Sequence, residues 1–265
     1  MPELPEVETI VRRMRPEIIG RTITAADLRW ARTLATPEPA LFNKNIIGQL
    51  VESVNRRAKY IVAQLSVDTL IIHLRMSGDI LFRDVDAPIE KHDRLLLTLD
   101  DEKILAFNDM RKFGRVWLTP VPNDVLGNLG PEPLDDSFTA DDLFERITNH
   151  KRQIKPLLLD QSVIAGLGNI YTDEALHFSG LHPLTKSDKI KRKQAEGLWQ
   201  SIRTVLEAGI ERNGTSIDWI YRGGQYQDYL HVYGRKDEPC LKCGTPIQKI
   251  IVGQRGTHFC PQCQK

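Results

Sequence analysis

The chain begins MPELPEVET, so a proline at position 2 is followed at once by Glu3 and soon after by Glu6 and Glu8. Removal of an initiator methionine before a small residue is common and would leave Pro2 as a chain-terminal secondary amine. Such an amine, attacking an aldehyde-like sugar carbon, gives an iminium with no N–H proton to lose. Its positive charge persists and serves as an electron sink for elimination at the neighbouring C–H bond. Carboxylates beside it can move the protons if their environments push their pKa values apart. Glu3 adjoins the amine, and Glu6, three residues on, can point the same way from a first helical turn. The stretch is equally a good helix start without any chemistry, since proline suits the first turn and acids suit the positive end of the helix dipole.

A second chemical signal lies at the other end. All four cysteines fall in CLKCGTPIQKIIVGQRGTHFCPQC, as Cys240 and Cys243 in one C-x2-C pair and Cys260 and Cys263 in another, sixteen residues apart. This spacing suits one tetrahedral Zn2+, with the intervening segment forming a ribbon-type hairpin that carries Arg255 at its tip. Four thiolates leave no position for water, so the metal is expected to be structural. Disulfide pairing is the alternative. From Arg235 to Lys265 there are six basic and two acidic side chains, in a protein whose net charge is only +1. That local surface suits phosphate, though it also fits a zinc stub that merely braces the C-terminus.

Between these ends, basic residues appear where turns are expected, in RRAKY, DMRKFG and HKRQIKP. Such clusters are often only solvated faces. The mixture of types is more telling: Met76 sits in an SG turn, and Arg111 and Phe113 share one tight loop. Apolar wedges beside cations can enter a base stack and fill the gap left by an extruded nucleotide. Met76 and Phe113 would otherwise be core residues at strand ends, and His73 in LIIHLRM a satisfied core histidine. In GLGNIY the backbone amides at a new helix start offer an anion site, or else simply a helix hairpin with flexible glycines.

The elements that must position these groups follow from periodicity. Val7, Ile10, Val11 and Met14 recur at helical spacing, which predicts a helix almost from the first residue. RTITAADL, YIVAQL, TLIIHL, RLLLTL, KILAF and GRVWL read as strands of a two-layer antiparallel sandwich. PVPNDVLGNLGPEPLDDSFT has the composition of a hinge, and DDLFERI, IKPLLLDQSVI, YTDEALHF and KRKQAEGLWQSIRTVLEAGI read as helices. The expected organisation is α+β in two domains: a helix plus β-sandwich over 1–120, a linker over 121–137, a helical domain over 138–234 and a zinc finger over 235–265. With 41% apolar residues among 265, the chain can bury a sizeable core. No apolar run approaches the roughly 18 to 20 residues of a membrane span, and the acidic start is wrong for a targeting peptide, so a cytoplasmic protein is expected.

In their order, PELPEVET, RRAKY, HLRMSG, DMRKFG, LGPEPL, IKPLLLDQ, GLGNIY, HPL, VYGR and the cysteine unit resemble the formamidopyrimidine-DNA glycosylase family of bacterial repair enzymes for oxidised purines. The resemblance implies a β-sandwich flanked by helices, a helix-two-turn-helix domain and a zinc hairpin, acting as a monomer on duplex DNA that contains an oxidised purine or an abasic site, at the bacterial nucleoid. It implies that Pro2 attacks C1′ of the damaged nucleoside, that Glu3 donates and accepts protons, and that β- and then δ-elimination cut the strand. Lys59 and Arg255 match family proton donors for those two eliminations, or phosphate contacts. His73 and Asn169 match phosphate contacts, with Lys155 and Tyr233 assisting. Met76, Arg111 and Phe113 match the residues that fill the void, and Glu6 an acid near the extruded base. The chain departs from the family in DMRKFG for DPRRFG, in HLRMSG for HLGMSG, and in a shorter segment over 214–234, where the family closes over the flipped purine. A sister family of the endonuclease VIII type, for oxidised pyrimidines, and a non-catalytic zinc-finger DNA-binding protein are the competing readings.

Overall fold

The computed structural model describes residues 1–216 and 223–265. The chain divides into two compact units. The first takes in Met1–Pro2 and Glu6–Gly127, the second Glu3–Pro5, Asn128–Thr215 and Gly224–Lys265.

Helix α1 (Leu4–Ile18) forms where the apolar spacing predicts it. Val7, Ile10, Val11, Met14 and Ile18 recur at three, four and seven residues and all enter one core. The strands of the first unit are β1 (Ile23–Leu28), β2 (Leu34–Thr36), β3 (Val51–Arg57), β4 (Tyr60–Leu65), β5 (Thr69–His73), β6 (Gly78–Asp84), β7 (Asp93–Leu99), β8 (Lys103–Asp109) and β9 (Arg115–Thr119), with α2 (Pro39–Ile46) after β2 and α3 (Asn123–Leu126) after β9. They make one sheet in the order β1-β7-β8-β6 and another in the order β2-β9-β5-β4-β3. Leu95, Leu97, Leu105 and Phe107 from the first and Ile61, Leu70, Ile72 and Val116 from the second pack into the core that α1 joins. The sandwich is not wholly antiparallel, because the short β2 pairs in parallel with β9. Central strand β5 is buried along its whole length, which explains its unbroken apolar run.

Register decides what lies at each end of the sandwich. Tyr60 pairs with His73 and His73 with Arg115, while Gly78 pairs with Asp109. The connections Arg57–Tyr60, His73–Gly78 and Asp109–Arg115 therefore meet at one edge, and these are the connections that carry Lys59, Met76, Arg111 and Phe113.

In the second unit α4 (Ala140–Thr148) opens on a capping box between Thr139 and Asp142. It is followed by α5 (Ile154–Leu158), α6 (Asn169–Ser179) and α7 (Arg192–Glu211). The helix expected through IKPLLLDQSVI stops at Leu158 because Asp160 Oδ1 accepts from both the amide and the hydroxyl of Ser162, which turns the chain. β10 (Gln248–Val252) and β11 (Arg255–Phe259) form the expected hairpin. Its tip is Gly253–Gln254, with φ of +55° and +63°, the left-handed pair that a two-residue hairpin turn requires. Arg255 is thus the first residue of β11 and not the tip. Among the described residues no helix is long and apolar enough to cross a membrane.

Candidate active site and metal centre

Helix α6 begins with an opening that its own sequence does not fill. Gly168 stands at the N-cap with no side chain to accept from the first-turn amides. The acceptor comes from the start of the chain: Glu3 Oε1 accepts from the Ile170 amide at 3.0 Å and Glu3 Oε2 from the Tyr171 amide at 3.3 Å. A Cβ on residue 168 would lie 2.2 Å from the Glu3 carboxyl carbon, so only glycine leaves room for this seat. Leu4 donates its amide to the Gly166 carbonyl at 3.1 Å and fixes the approach. The amides of GLGNIY, expected to meet an external anion, thus hold the chain's own carboxylate at the positive end of the helix dipole. Pro2, the residue before Glu3, is buried, and Met1 is exposed.

Further along, α6 braces the β10–β11 hairpin with groups that no motif announces. Asp173 Oδ1 accepts from Lys155 Nζ at 2.6 Å, and Asp173 Oδ2 accepts from the His258 amide at 2.9 Å. Lys155 also donates to the Gly256 carbonyl at 3.1 Å, as does Asn169 Nδ2 at 3.0 Å. Lys155 is fully buried, and burial pulls its pKa down while Asp173 opposes the shift. Its ammonium is therefore spent behind Arg255. Arg255 itself is exposed. Glu174 accepts from the amides of His231, Val232 and Tyr233 at 2.8–2.9 Å, which holds Tyr233 with its ring edge-on to His258. The only local trace of these anchors is the adjacent acid pair in YTDEAL, on a helix otherwise buried almost throughout. Of the segment 214–234, residues 217–222 lie outside the described residues.

The four sulfurs, Cys240, Cys243, Cys260 and Cys263, all lie within 4.8 Å of one another. Cys243 and Cys260 are 3.5 Å apart and Cys240 and Cys263 4.0 Å. Tetrahedral zinc with bonds of about 2.3 Å implies sulfur separations of about 3.8 Å, so the set fits Zn2+ and no disulfide is formed. All four donors are thiolates, which makes the ion structural.

In the first unit, the sandwich edge gathers the remaining residues. Asp109, fully buried at the end of β8, organises two loops: its Oδ1 takes the Ser77 hydroxyl and the Arg111 amide, and its Oδ2 accepts from the Gly114 amide at 2.7 Å. The loop bearing Met76 is thereby tied to the loop bearing Arg111 and Phe113. Met76 is 38% exposed and Phe113 49%, so neither is a core residue at a strand end. The Arg111 guanidinium lies 5.0 Å from the Phe113 ring centre, and Lys112 Nζ sits 3.9 Å over Trp30. Asp109 opens the motif DMRKFG, yet its acceptor role depends on Ser77, which is distant in sequence. Glu6 is buried on α1, and the neighbouring Glu8 pairs with Arg56 at 3.1 Å.

Lys59 and His73 are both buried. The Arg75 amide donates to His73 Nδ1 at 2.9 Å, which leaves the proton on Nε2. Burial, then the charges of Arg75 and Lys59, lower the His73 pKa from 6.5 to about 3, so the ring is a neutral donor. A depressed histidine contributes stability that is complete above the unfolded value of 6.5 and is lost as pH falls toward 3. Urea unfolding at pH 7.5 and pH 5 is expected to show a stability loss about 2 kcal/mol smaller in His73→Gln than in the parent. Equal losses in both proteins would contradict a buried neutral imidazole.

Comparison with known proteins bears on every part of this arrangement. Residues 1–116 match the family model described as the formamidopyrimidine-DNA glycosylase N-terminal domain. Residues 129–220 match the H2TH domain of that enzyme, and 237–265 a zinc finger found in FPG and IleRS. A formamidopyrimidine-DNA glycosylase of Herpetosiphon aurantiacus is 44% identical over 272 residues, covering 100% of both chains. Among solved structures, MutM in complex with DNA containing carbocyclic 8-oxo-G is similar with a TM-score of 0.93 at 37% identity over 100% of both chains. Lactococcus lactis FPG in complex with FAPY-dG DNA reaches 0.93 at 36% identity, covering 99% of this chain and 100% of that one.

Proposed function

The chain belongs to the formamidopyrimidine-DNA glycosylase family, and from that premise we propose how its residues excise oxidised purines from duplex DNA and then cut the strand. It is a repair glycosylase with one structural zinc ion, and its partner is DNA carrying an oxidised base or an abasic site. With Met1 removed, the Pro2 nitrogen bonds to C1′ of the damaged nucleoside while the glycosidic bond breaks and the base leaves with a proton. The C1′–O4′ bond of this adduct then breaks as O4′ takes up a proton, which gives the iminium; the iminium loses its C2′ proton, and the C3′–O bond breaks with release of the strand. A second elimination releases the 5′ phosphate, and hydrolysis frees Pro2.

The observation that carries this reading is the seat of Glu3. Two amides of α6 fix the carboxylate one residue from Pro2, so its direction is set before any substrate binds. In that position Glu3 serves as the proton donor and acceptor for base departure. Lys59 and Arg255 serve the two eliminations or hold the flanking phosphates, with His73 Nε2–H and Asn169 as further phosphate contacts. Lys155 acts from behind, by holding Gly256 next to Arg255, and Tyr233 lines the same face. Met76, Arg111 and Phe113 fill the space left by the extruded nucleotide, with Glu6 near the base itself. The functional division follows as 1–120, 121–137, 138–234 and 235–265. The enzyme works in the cytoplasm, where a bacterial chromosome lies.

Borohydride added to the matured protein on a duplex with 8-oxoguanine opposite cytosine is expected to trap a covalent adduct. Pro2→Gly, which offers a primary amine, should lower the trapped yield at least tenfold. Bare binding without an adduct would contradict the lyase chemistry, and a preference for thymine glycol would point to the endonuclease VIII type.

A further inference from the structure

His177 lies in the last turn of α6, three residues after Glu174 and four after Asp173, on the helix face that those two anchors turn toward the C-terminal segment. It is 4% exposed. Its Nε2 lies 3.5 Å from the Cys240 sulfur. A metal-bound thiolate can only accept, so Nε2 carries the ring proton and Nδ1 is left as a bare acceptor. That Nδ1 is buried and has no hydrogen-bond partner among the described residues. Beside the ring is a cavity of about 210 Å³ lined by His177, Phe178, His231, Leu241 and Lys242, which is large enough for several waters. The His231 ring centre is 5.7 Å from that of His177.

A phenylalanine at this position would fill the same space without leaving a buried nitrogen unpaired, an arrangement that costs about 1–3 kcal/mol. The imidazole therefore needs a compensating role, and the sulfur supplies one. Four thiolates on Zn2+ carry two excess negative charges, and an N–H donor withdraws charge from the sulfur it meets. The Cys263 amide already donates to Cys260 Sγ at 3.4 Å. We propose that His177 is a positioning residue of the zinc centre: its Nε2–H donates to the Cys240 thiolate. The donor keeps the buried sulfur in place and makes it less open to ligand exchange. Groups that orient metal ligands in this way typically change metal retention by 10- to 100-fold.

The inference rests on the four-thiolate zinc reading, so zinc content of the wild-type protein is measured first. One ion per chain secures that premise, and its absence would overturn both. In the wild-type holoprotein, long-range 1H–15N NMR is expected to show the His177 ring protonated at Nε2 alone; protonation at Nδ1 would overturn the proposal without any variant. In His177→Phe, zinc transfer to a colorimetric chelator should be at least tenfold faster than in wild type. With cobalt in place of zinc, its sulfur-to-metal charge-transfer band should move to lower energy. His177→Gln, whose amide still donates, should recover part of both changes. A purely packing role would shift the melting temperature and leave the band unmoved. An unchanged band together with an exchange rate within twofold of wild type in His177→Phe would refute the assignment.

Discussion

Glu3→Gln is expected to slow base excision from a lesion duplex by about two to four orders of magnitude, the usual contribution of a positioned acid–base group. Binding to the same duplex should stay within a few-fold of wild type, because Glu3 is held by α6 amides and its proposed task is proton transfer, not a grip on phosphate. The seat separates the chemical effect from a structural one. Glutamine offers one acceptor oxygen where the carboxylate offers two, so one of the amides of Ile170 and Tyr171 loses its partner in a buried place. That loss costs about 1–3 kcal/mol of stability and should appear as a lower melting temperature. Single-turnover excision well below the melting transition then reports the missing proton transfer alone. Strand cleavage at a preformed abasic site should fall less, since no base remains to be expelled. An excision rate within threefold of wild type in the folded variant would remove Glu3 from its proposed role.

The same seat marks the limit of sequence reading. The stripe Val7, Ile10, Val11, Met14 and the two C-x2-C pairs are local patterns, and each formed the element expected of it. GLGNIY was legible as a helix start with open amides, but its occupant comes from 167 positions earlier in the chain, and no local spacing encodes that pairing. Asp173 and Glu174 escape sequence reading for a related reason: nothing local tells that two adjacent acids on a helix will receive the amides of 231–233 and 258. Asp109 stood within a recognised motif, yet its function appears only when the strands align Gly78 opposite it. Periodicity alone predicts too long an α5, because the apolar spacing of IKPLLLDQSVI outlasts the turn that Asp160 imposes with a single side chain. Where register or a distant partner decides, periodicity gives the element and tertiary contact gives its use.

Removal of zinc is expected to abolish lesion-specific binding, with an affinity loss of at least 100-fold by fluorescence anisotropy, while the α1 and sandwich core remains folded. The asymmetry follows from how each region is held. The first unit buries a continuous apolar core drawn from α1 and both sheets. Among the described residues the buried cluster around the cysteines is Val232, Ile247, Cys240 and Cys260, with Val252 and Phe259 buried on the hairpin, and Ile251 on β10 is 81% exposed. So small a cluster cannot offset the ordering entropy of some thirty residues, whereas a four-thiolate zinc site contributes an apparent 10–16 kcal/mol. The ties from Asp173, Lys155 and Asn169 reach Gly256 and His258 near the hairpin turn, whereas the α6 contact that reaches Cys240 is the longer one from His177 Nε2, at 3.5 Å. Without metal the knuckles should open first and Arg255 should lose its fixed direction. Cys260→Ser, at a fully buried sulfur, should reproduce the chelated state, with zinc content falling from one ion per chain toward none. Binding of the intact form should also weaken steeply with salt, as expected when phosphates supply much of the affinity. Metal-free protein that binds the lesion duplex with undiminished affinity would show that α6 alone holds the hairpin in place.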